Sequence, residues 1–467
     1  MDIIPQAIDL FLKNCFTSLL PQPQADFGSR MAEVYAACTA MLSTIVPQFL
    51  QTMDESLALD EQRREEWTVV RADTRTLVCV FGEIRFRRRY YRHKKSGEMA
   101  YLLDRFLGIE AYAKVNGDTR QKAIVLAEQD SYARSAEGST VSGISRMSVC
   151  NYVGHLNRFP ELKAEGEKRS VKYLYVEADE DHTSLQNGKQ AQIKLVYIHE
   201  GVEKKGGRRA LVRPRYLTWP SGESTDTLWE TVSGYIEQQY VTEDIEEIFL
   251  SGDAGSWIRK GEEWLYPCIP VLDGFHTAKA VKTLFGAHAQ RASEFMGHVW
   301  QDELEQAREL CRKQLLETPE PRRAAKQKQA NYLLNNFRRI LNQRHPGAQG
   351  CSAEGHVSHI LSDRLSSRPL GWSVENMENI AQLRVMKANG QVIRYGQLRR
   401  NDPPPQTTAS VCKADSFVTA KSPRVSLRAG ARSSLDALRQ TLPILTNGAT
   451  NSLYQVLHAL SYDSFAS

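Results

Sequence analysis

Two apolar runs in this chain close on acids. Tyr173-Leu-Tyr-Val-Glu-Ala-Asp-Glu-Asp-His182 is β-prone and ends in a knot of charge containing Asp179 and Asp181. Ile245-Glu-Glu-Ile-Phe-Leu-Ser-Gly-Asp253 ends the same way on Asp253. Strands that each deliver a carboxylate at their carboxyl end suit a divalent cation on an α/β sheet, because buried strands hold position and the loop beyond them holds charge. Mg²⁺ takes oxygen ligands, one or two of them carboxylates, with substrate phosphates completing the shell. Two such ions ~3.5–4 Å apart activate a water or hydroxyl and stabilise the leaving oxygen. Asp179 and Asp181 stand two apart, so they share one side of an extended strand and compete for the first position. Asp179 is nearer the apolar run and is preferred. Asp253, followed by Ala-Gly, also suits a cap for the next helix.

Further chemistry follows downstream. Asp273-Gly-Phe-His276 succeeds another apolar run, and His276 is a candidate to orient an acid or contact a phosphate. Glu354 stands early in a helical stretch, with His356 and His359 close by. Those histidines are three apart and lack the His-Glu-x-x-His pattern of a zinc helix. Arg364 and Arg368 come next, and Arg suits bidentate phosphate contacts.

The elements that must position these groups can be read from periodicity. With 467 residues, two to four domains are expected. Charged residues at 25% and hydrophobic ones at 41% fit a soluble globular chain. A net charge of +5 permits nucleic-acid binding without requiring it. No apolar run approaches the ~20 residues of a membrane span. The start Met-Asp-Ile-Ile-Pro lacks the basic segment of a signal peptide, and the eight cysteines form no Cys-x-x-Cys pair. A cytoplasmic, nucleoid-associated protein is expected, with no membrane partner.

Residues 1–66 read as helical, with Ile8, Leu10, Phe11, Met31, Val34, Tyr35, Met41 and Leu42 at helical spacing. Residues 67–118 carry a β-hairpin whose second strand becomes basic and aromatic. Arg85, Arg87, Arg88, Arg89 and Arg92 lie beside Phe86, Tyr90 and Tyr91, a pattern suited to the phosphate backbone. Residues 119–165 have helix-turn-helix form, with Ser145, Arg146 and Asn151 opening the second helix, where base edges are usually met. Residues 170–276 and 350–400 read as an α/β core in the order β-β-β-α-β-α-β, interrupted by an all-helical insertion at 277–349. That order is the one found in ribonuclease-H-like folds, in which the first and fourth strands are neighbours. Residues 401–467 read as a linker and a helical tail.

These pieces, in this order, resemble the bacterial insertion-sequence transposases of the ISLre type, once catalogued as an uncharacterised protein family. The matching segments are Phe-Gly-Glu-Ile-Arg-Phe-Arg-Arg-Arg-Tyr-Tyr91, Tyr-Leu-Leu-Asp104, Ser-Tyr-Ala-Arg-Ser-Ala136, Val-Glu-Ala-Asp-Glu-Asp-His182, Ser-Gly-Asp253-Ala-Gly-Ser-Trp-Ile258, Leu-Asp-Gly-Phe-His276 and the stretch from Glu354 to Trp372. They run from about 65 to 385. The group is similar to Mutator-type transposases, which carry an Asp, Asp, Glu triad, an Asp- or Cys-x-x-His motif after the second Asp, and a helical insertion before the Glu. The resemblance implies Asp179, Asp253 and Glu354 as ligands of two Mg²⁺ ions (Mn²⁺ substituting), with Asp181 the alternative first ligand. Gly274 departs from the larger, often basic residue expected there. The implied function is a DNA transposase that binds double-stranded terminal inverted repeats and target DNA as a dimer or larger assembly. The alternative is a non-catalytic DNA-binding regulator derived from an inactive copy.

Overall fold

The computed structural model describes residues 3–20, 26–157, 162–367 and 371–398. The expected linker and tail at 401–467, and Arg368, lie outside the described residues. The chain divides into two compact units. Met1–Thr119 with Ser139–Gly143 belongs to one, and Arg120–Gly138 with Ile144–Asn401 to the other.

In the first unit the helices Ile3–Leu19 and Phe27–Leu59 precede a long hairpin. Asp26 caps the second helix by accepting from Ser29 N. Strands β1 (Trp67–Cys79) and β2 (Gly82–His93) pair antiparallel, and the short β3 (Met99–Ala100) extends the sheet beyond β2. Alternation along β2 persists further than its sequence suggests. Ile84, Phe86 and Arg88 face inward, while Arg85 and Arg87 face out.

In the second unit a five-stranded mixed sheet forms the centre of an α/β architecture. Its strands are β4 (Tyr173–Ser184), β5 (Gln190–His199), β8 (Arg215–Trp219), β9 (Glu247–Gly252) and β10 (Cys268–Leu272). A separate two-stranded ribbon, β6 (Val202–Lys205) with β7 (Arg208–Leu211), interrupts the meander between β5 and β8. The expected order β-β-β-α-β-α-β does not include this ribbon. The sheet order is β10-β9-β4-β5-β8, so the first and fourth sheet strands in chain order are neighbours. Strand β4 is antiparallel to β5 and parallel to β9, and β10 is parallel to β9.

Helices cover both faces. Leu228, Trp229 and Val232 of the helix Thr225–Gln239 pack on Leu174, Val176 and Val196. On the other face Ile193, Leu195 and Tyr197 meet Ile124, Val149, Val357 and Ile380. The helices that contain Ile124 and Val149 therefore share a core with the sheet. The segment after β10 is helical from Gly274 onward. Its helices, Gly274–Phe285, Ala289–Trp300, Leu304–Leu316, Glu320–Asn335 and Phe337–Leu341, enclose their own apolar core around Leu284, Phe295, Leu310 and Leu333. No described helix is long and apolar enough to cross a membrane.

Candidate active site

The acids are arranged by strand register. Strand β4 pairs with β9 from Tyr173↔Glu247 to Glu177↔Ser251. Two residues further in the same register, Asp179 comes opposite Asp253. Strand β10 pairs with β9 as far as Leu272↔Gly252, so Asp273 is the next step opposite Asp253. Asp179 in β4 thus makes a row with Asp253 and Asp273, each of which stands one residue past the end of its strand. Asp179 and Asp181 do not lie beyond their strand, as expected from the apolar run. Strand β4 continues to Ser184 because its pairing with β5 persists to Ser184↔Gln190. The acids begin where the parallel partner stops.

A glycine permits the row. A Cβ on Gly252 would lie 2.5 Å from the Ala178 carbonyl oxygen and 2.8 Å from Ile258 Cδ1. Only hydrogen fits there, so β9 comes close to β4 just before Asp253. The loop beyond is held from several sides. Asp253 Oδ1 accepts from Gly255 N at 2.8 Å, and Tyr332 donates to the Asp253 carbonyl at 2.8 Å. Ala254 adopts a left-handed φ of 62°, a strained conformation for a residue with a Cβ. Tyr332 belongs to the helical insertion, which therefore helps to fix this acid.

The segment carrying Glu354 is stitched to β4 on both sides of Asp179. Glu177, Asp179 and Asp181 share one face of the strand. Glu177 Oε2 accepts from Ser352 N at 2.6 Å, from Ser352 Oγ at 3.3 Å and from Cys351 Sγ at 3.2 Å. Tyr197 also donates to it, and His199 Nε2 lies 3.0 Å from Oε1. Asp181 Oδ1 accepts from Ser362 Oγ at 3.0 Å and from Ser366 Oγ at 2.8 Å. Glu354 stands between these anchors on the short helix Ala353–Val357, which runs on through a π turn at Ser358–Ser362. Asp181 is thus engaged by hydroxyls of that segment, whereas Asp179 feels the charges of His276, Glu354 and Asp253.

Burial is the main force that raises the Asp179 carboxyl, to about 6, and the Glu354 and Asp253 carboxylates add to it. His276 pulls the other way. Asp273 accepts from Phe275 N at 3.1 Å and holds His276 Nδ1 at 3.0 Å. That hydrogen bond raises the His276 pKa, with further support from the charges of Asp273, Asp179 and Asp253. Asp253, Glu354 and His276 therefore all lie within Coulombic reach of Asp179, and His276 within reach of Asp253 as well. Among the described residues, no three acidic, His or Cys side chains close on a point as a metal shell. The donors nonetheless have the chemistry of a hard-cation site: three carboxylates on separate elements, at least one of them buried and crowded by like charge.

The expected DNA contacts divide into two groups. Arg85, Arg87 and Arg92 are exposed on the hairpin, and Arg146 and Asn151 are exposed on the helix Arg146–Gly154. Ser145 caps that helix by accepting from Ser148 N at 3.0 Å. Arg88 and Arg364 require correction. Arg88 is buried in an ion pair with Asp104 and lies over the Tyr101 ring, because the strand alternation turns it inward. Arg364 is buried between Tyr132 and Trp372 and donates to the Ala127 carbonyl at 3.2 Å. Arg89 is tied to the buried Asp54 at 2.6 Å. Sequence reasoning missed Glu177 and named Asp273 only as the start of the Asp-Gly-Phe-His276 motif. Strand-end logic reaches Asp273, but nothing local marks Glu177 as the anchor of a distant helix.

A model of the uncharacterised protein family UPF0236 matches residues 27–402, and the chain belongs to that family. It is similar to a UPF0236 protein of Caldanaerobacter subterraneus subsp. tengcongensis, with 32% identity over 97% of this chain and 98% of the relative. A second UPF0236 protein of that strain is 30% identical over 98% of this chain and 95% of its own length. The UPF0236 protein in the vanSb 3' region of Streptococcus gallolyticus is 28% identical over 51% of this chain and 52% of its own.

Proposed function

We propose that this UPF0236 member is a DNA transposase with a ribonuclease-H-like catalytic core, acting on the terminal inverted repeats of its own element. The observation that supports the reading is the placement of Asp179 in β4 at the register position of Asp253, one residue past the adjacent parallel strand β9, with the Glu354 segment hydrogen-bonded to β4 on both sides of Asp179. The sheet order β10-β9-β4-β5-β8 and the helical insertion between Asp253 and Glu354 support the fold assignment. Another similar UPF0236 protein of the Caldanaerobacter strain carries eleven locus labels, a multicopy pattern that suits a mobile element.

Asp179, Asp253 and Glu354 would hold Mg²⁺ or Mn²⁺. When bound, two such ions supply an activated water or 3′-hydroxyl and neutralise charge on the leaving oxygen. The chain's own groups provide the positioning. Glu177 and Asp181 hold the Glu354 segment against β4, and Tyr332 braces the Asp253 loop. His276 is oriented by Asp273, and that hydrogen bond favours its protonated form beside Asp179. Arg85, Arg87 and Arg92 suit phosphate contacts, and a helix-turn-helix reading of Tyr132–Ser139 with Arg146–Gly154 assigns Arg146 and Asn151 to base edges. Pairing two element ends calls for a dimer or larger assembly in the bacterial cytoplasm.

The test uses labelled DNA carrying the element ends, with Mg²⁺ or with EDTA, and the Asp253→Asn variant alongside. Boundary cleavage that disappears with EDTA and in the variant is the expected result. Cleavage retained by Asp253→Asn overturns the ligand assignment. Tight binding without cleavage by the wild-type chain overturns the catalytic reading in favour of a DNA-binding regulator.

A further inference from the structure

The β6–β7 ribbon stands apart from the five-stranded sheet and carries an unusual charge arrangement. Lys204-Lys205-Gly-Gly-Arg208-Arg209 has four cations in six residues. The register sets Lys204 opposite Arg209 and Lys205 opposite Arg208. Gly206 and Gly207 both adopt positive φ, 58° and 79°, as a tight two-residue hairpin turn requires. Directly opposed like charges destabilise an antiparallel pair, and a two-stranded ribbon has little stability to spare. Lys204, Lys205 and Arg209 are exposed, and none has an ion-pair partner among the described residues. A ribbon that repels itself in this way is relieved by a polyanion lying along it.

Its location narrows the partner. A cavity of about 310 Å³ lies against the ribbon, lined by Arg209 and Leu211 on one side and by Tyr216, Ser352 and His356 on the other. Arg209 also lies against Gly350, with both terminal nitrogens 3.9 Å from where a Cβ would stand. Ser352 and His356 flank Glu354 in the chain. The cationic ribbon is therefore attached to the segment that presents the third acid.

We propose that the β6–β7 ribbon binds the phosphate backbone of the DNA processed at the Asp179–Asp253–Glu354 site. The proposal rests on the DNA-processing reading above. It adds a contact surface separate from the β1–β2 hairpin and the helix Arg146–Gly154. A two-stranded ribbon has the dimensions to lie along a DNA groove.

The test is a full-length triple variant, Lys204→Thr, Lys205→Thr and Arg209→Thr, measured by fluorescence anisotropy with a labelled duplex of the element end across a salt series. Affinity should fall about tenfold to a hundredfold at low salt, and the slope of log K against log salt should become shallower by about two to three. Tm should hold or rise, because the opposed charges are gone. Should the triple variant fail to fold, Lys205→Thr alone should reduce the slope by about one. Unchanged affinity and slope would overturn the proposal. So would unchanged DNA affinity with lost binding to phosphatidylserine vesicles, which assigns the ribbon to a lipid surface. Absence of DNA binding by the wild-type chain would overturn both readings together. Ribbon-dependent binding with cleavage retained by Asp253→Asn overturns the metal-ligand assignment alone and leaves the ribbon's role standing.

Discussion

Glu177 Oε2 accepts a 2.6 Å hydrogen bond from the backbone N–H of Ser352, joining strand β4 to the segment that carries Glu354. The carboxylate is buried, and its hydrogen bonds with His199, Tyr197 and Ser352 outweigh desolvation and hold its pKa below the usual carboxylate range. Replacing it with Met leaves the Ser352 N–H without its acceptor and leaves the Tyr197 hydroxyl only the Ser352 hydroxyl at 3.1 Å. Glu177→Met should cost about 2–4 kcal/mol, since each stranded buried donor costs ~1–3 kcal/mol. Ser352→Ala keeps the backbone bond and should cost under about 1 kcal/mol. Urea unfolding of the two variants checks the difference. Equal losses would mean that the side-chain hydroxyl, and not the backbone bond, makes the link.

Asp179 gives a pH dependence of known sign. Its folded pKa is raised, to about 6 from 3.8, so the folded state holds the proton more tightly than the unfolded state. The stability from this group is fully present below pH 3.8 and is lost as pH rises through about 6. Asp179→Asn should therefore stabilise the metal-free protein near neutral pH by on the order of 2 kcal/mol, with little effect below the unfolded pKa. Thermal melts of wild type and variant across that range give the comparison. A difference independent of pH would show that Asp179 is not held in the crowded, buried state.

Gly252 predicts a steric failure. A methyl group there would meet the Ala178 carbonyl at 2.5 Å, and backbone cannot move aside as a flexible side chain can. Gly252→Ala should destabilise by roughly 1–3 kcal/mol, the usual range for an overpacked core. It should also widen the spacing of Asp179 and Asp253 and weaken Mn²⁺ binding. Denaturant unfolding and calorimetric titration with Mn²⁺ read the two effects separately.

The hairpin arginines should separate into two classes. Burial holds the Arg88 guanidinium down at about 10 despite its pairing with Asp104. Arg88→Met leaves Asp104 with only the weaker Arg75 contact at 3.7 Å and should cost about 3 kcal/mol. Arg85→Ala and Arg87→Ala should leave Tm within the small scatter of surface changes and weaken DNA binding. A loss of DNA affinity in Arg88→Met that exceeds its loss of folded protein would contradict this division.

Much of the second unit is legible in the sequence. Apolar runs locate β4, β9 and β10, and the acids that close them are Asp179, Asp253 and Asp273. The polar, helix-forming stretch after His276 is helical as its composition indicates. Local periodicity suffices for these because strand and helix preferences are set by neighbours in the chain. The N-terminal helices are legible for the same reason, but their covered face is not. Leu10, Met31, Tyr35 and Leu42 have helical spacing, yet all four are exposed in the fold.

What the sequence could not decide is which groups meet. Asp179 and Asp181 compete by pattern, with Asp179 favoured only by its nearness to the apolar run, and the sequence does not contain the hydrogen bonds that Ser362 and Ser366 bring to Asp181 from a distant helix. Glu177 is one more acid in a run until Ser352 reaches it across the fold. Arg88 and Arg364 look like their exposed neighbours until strand alternation and aromatic packing bury them. Side-chain partners of this kind are chosen by register and long-range packing, which a local reading of residue types does not contain.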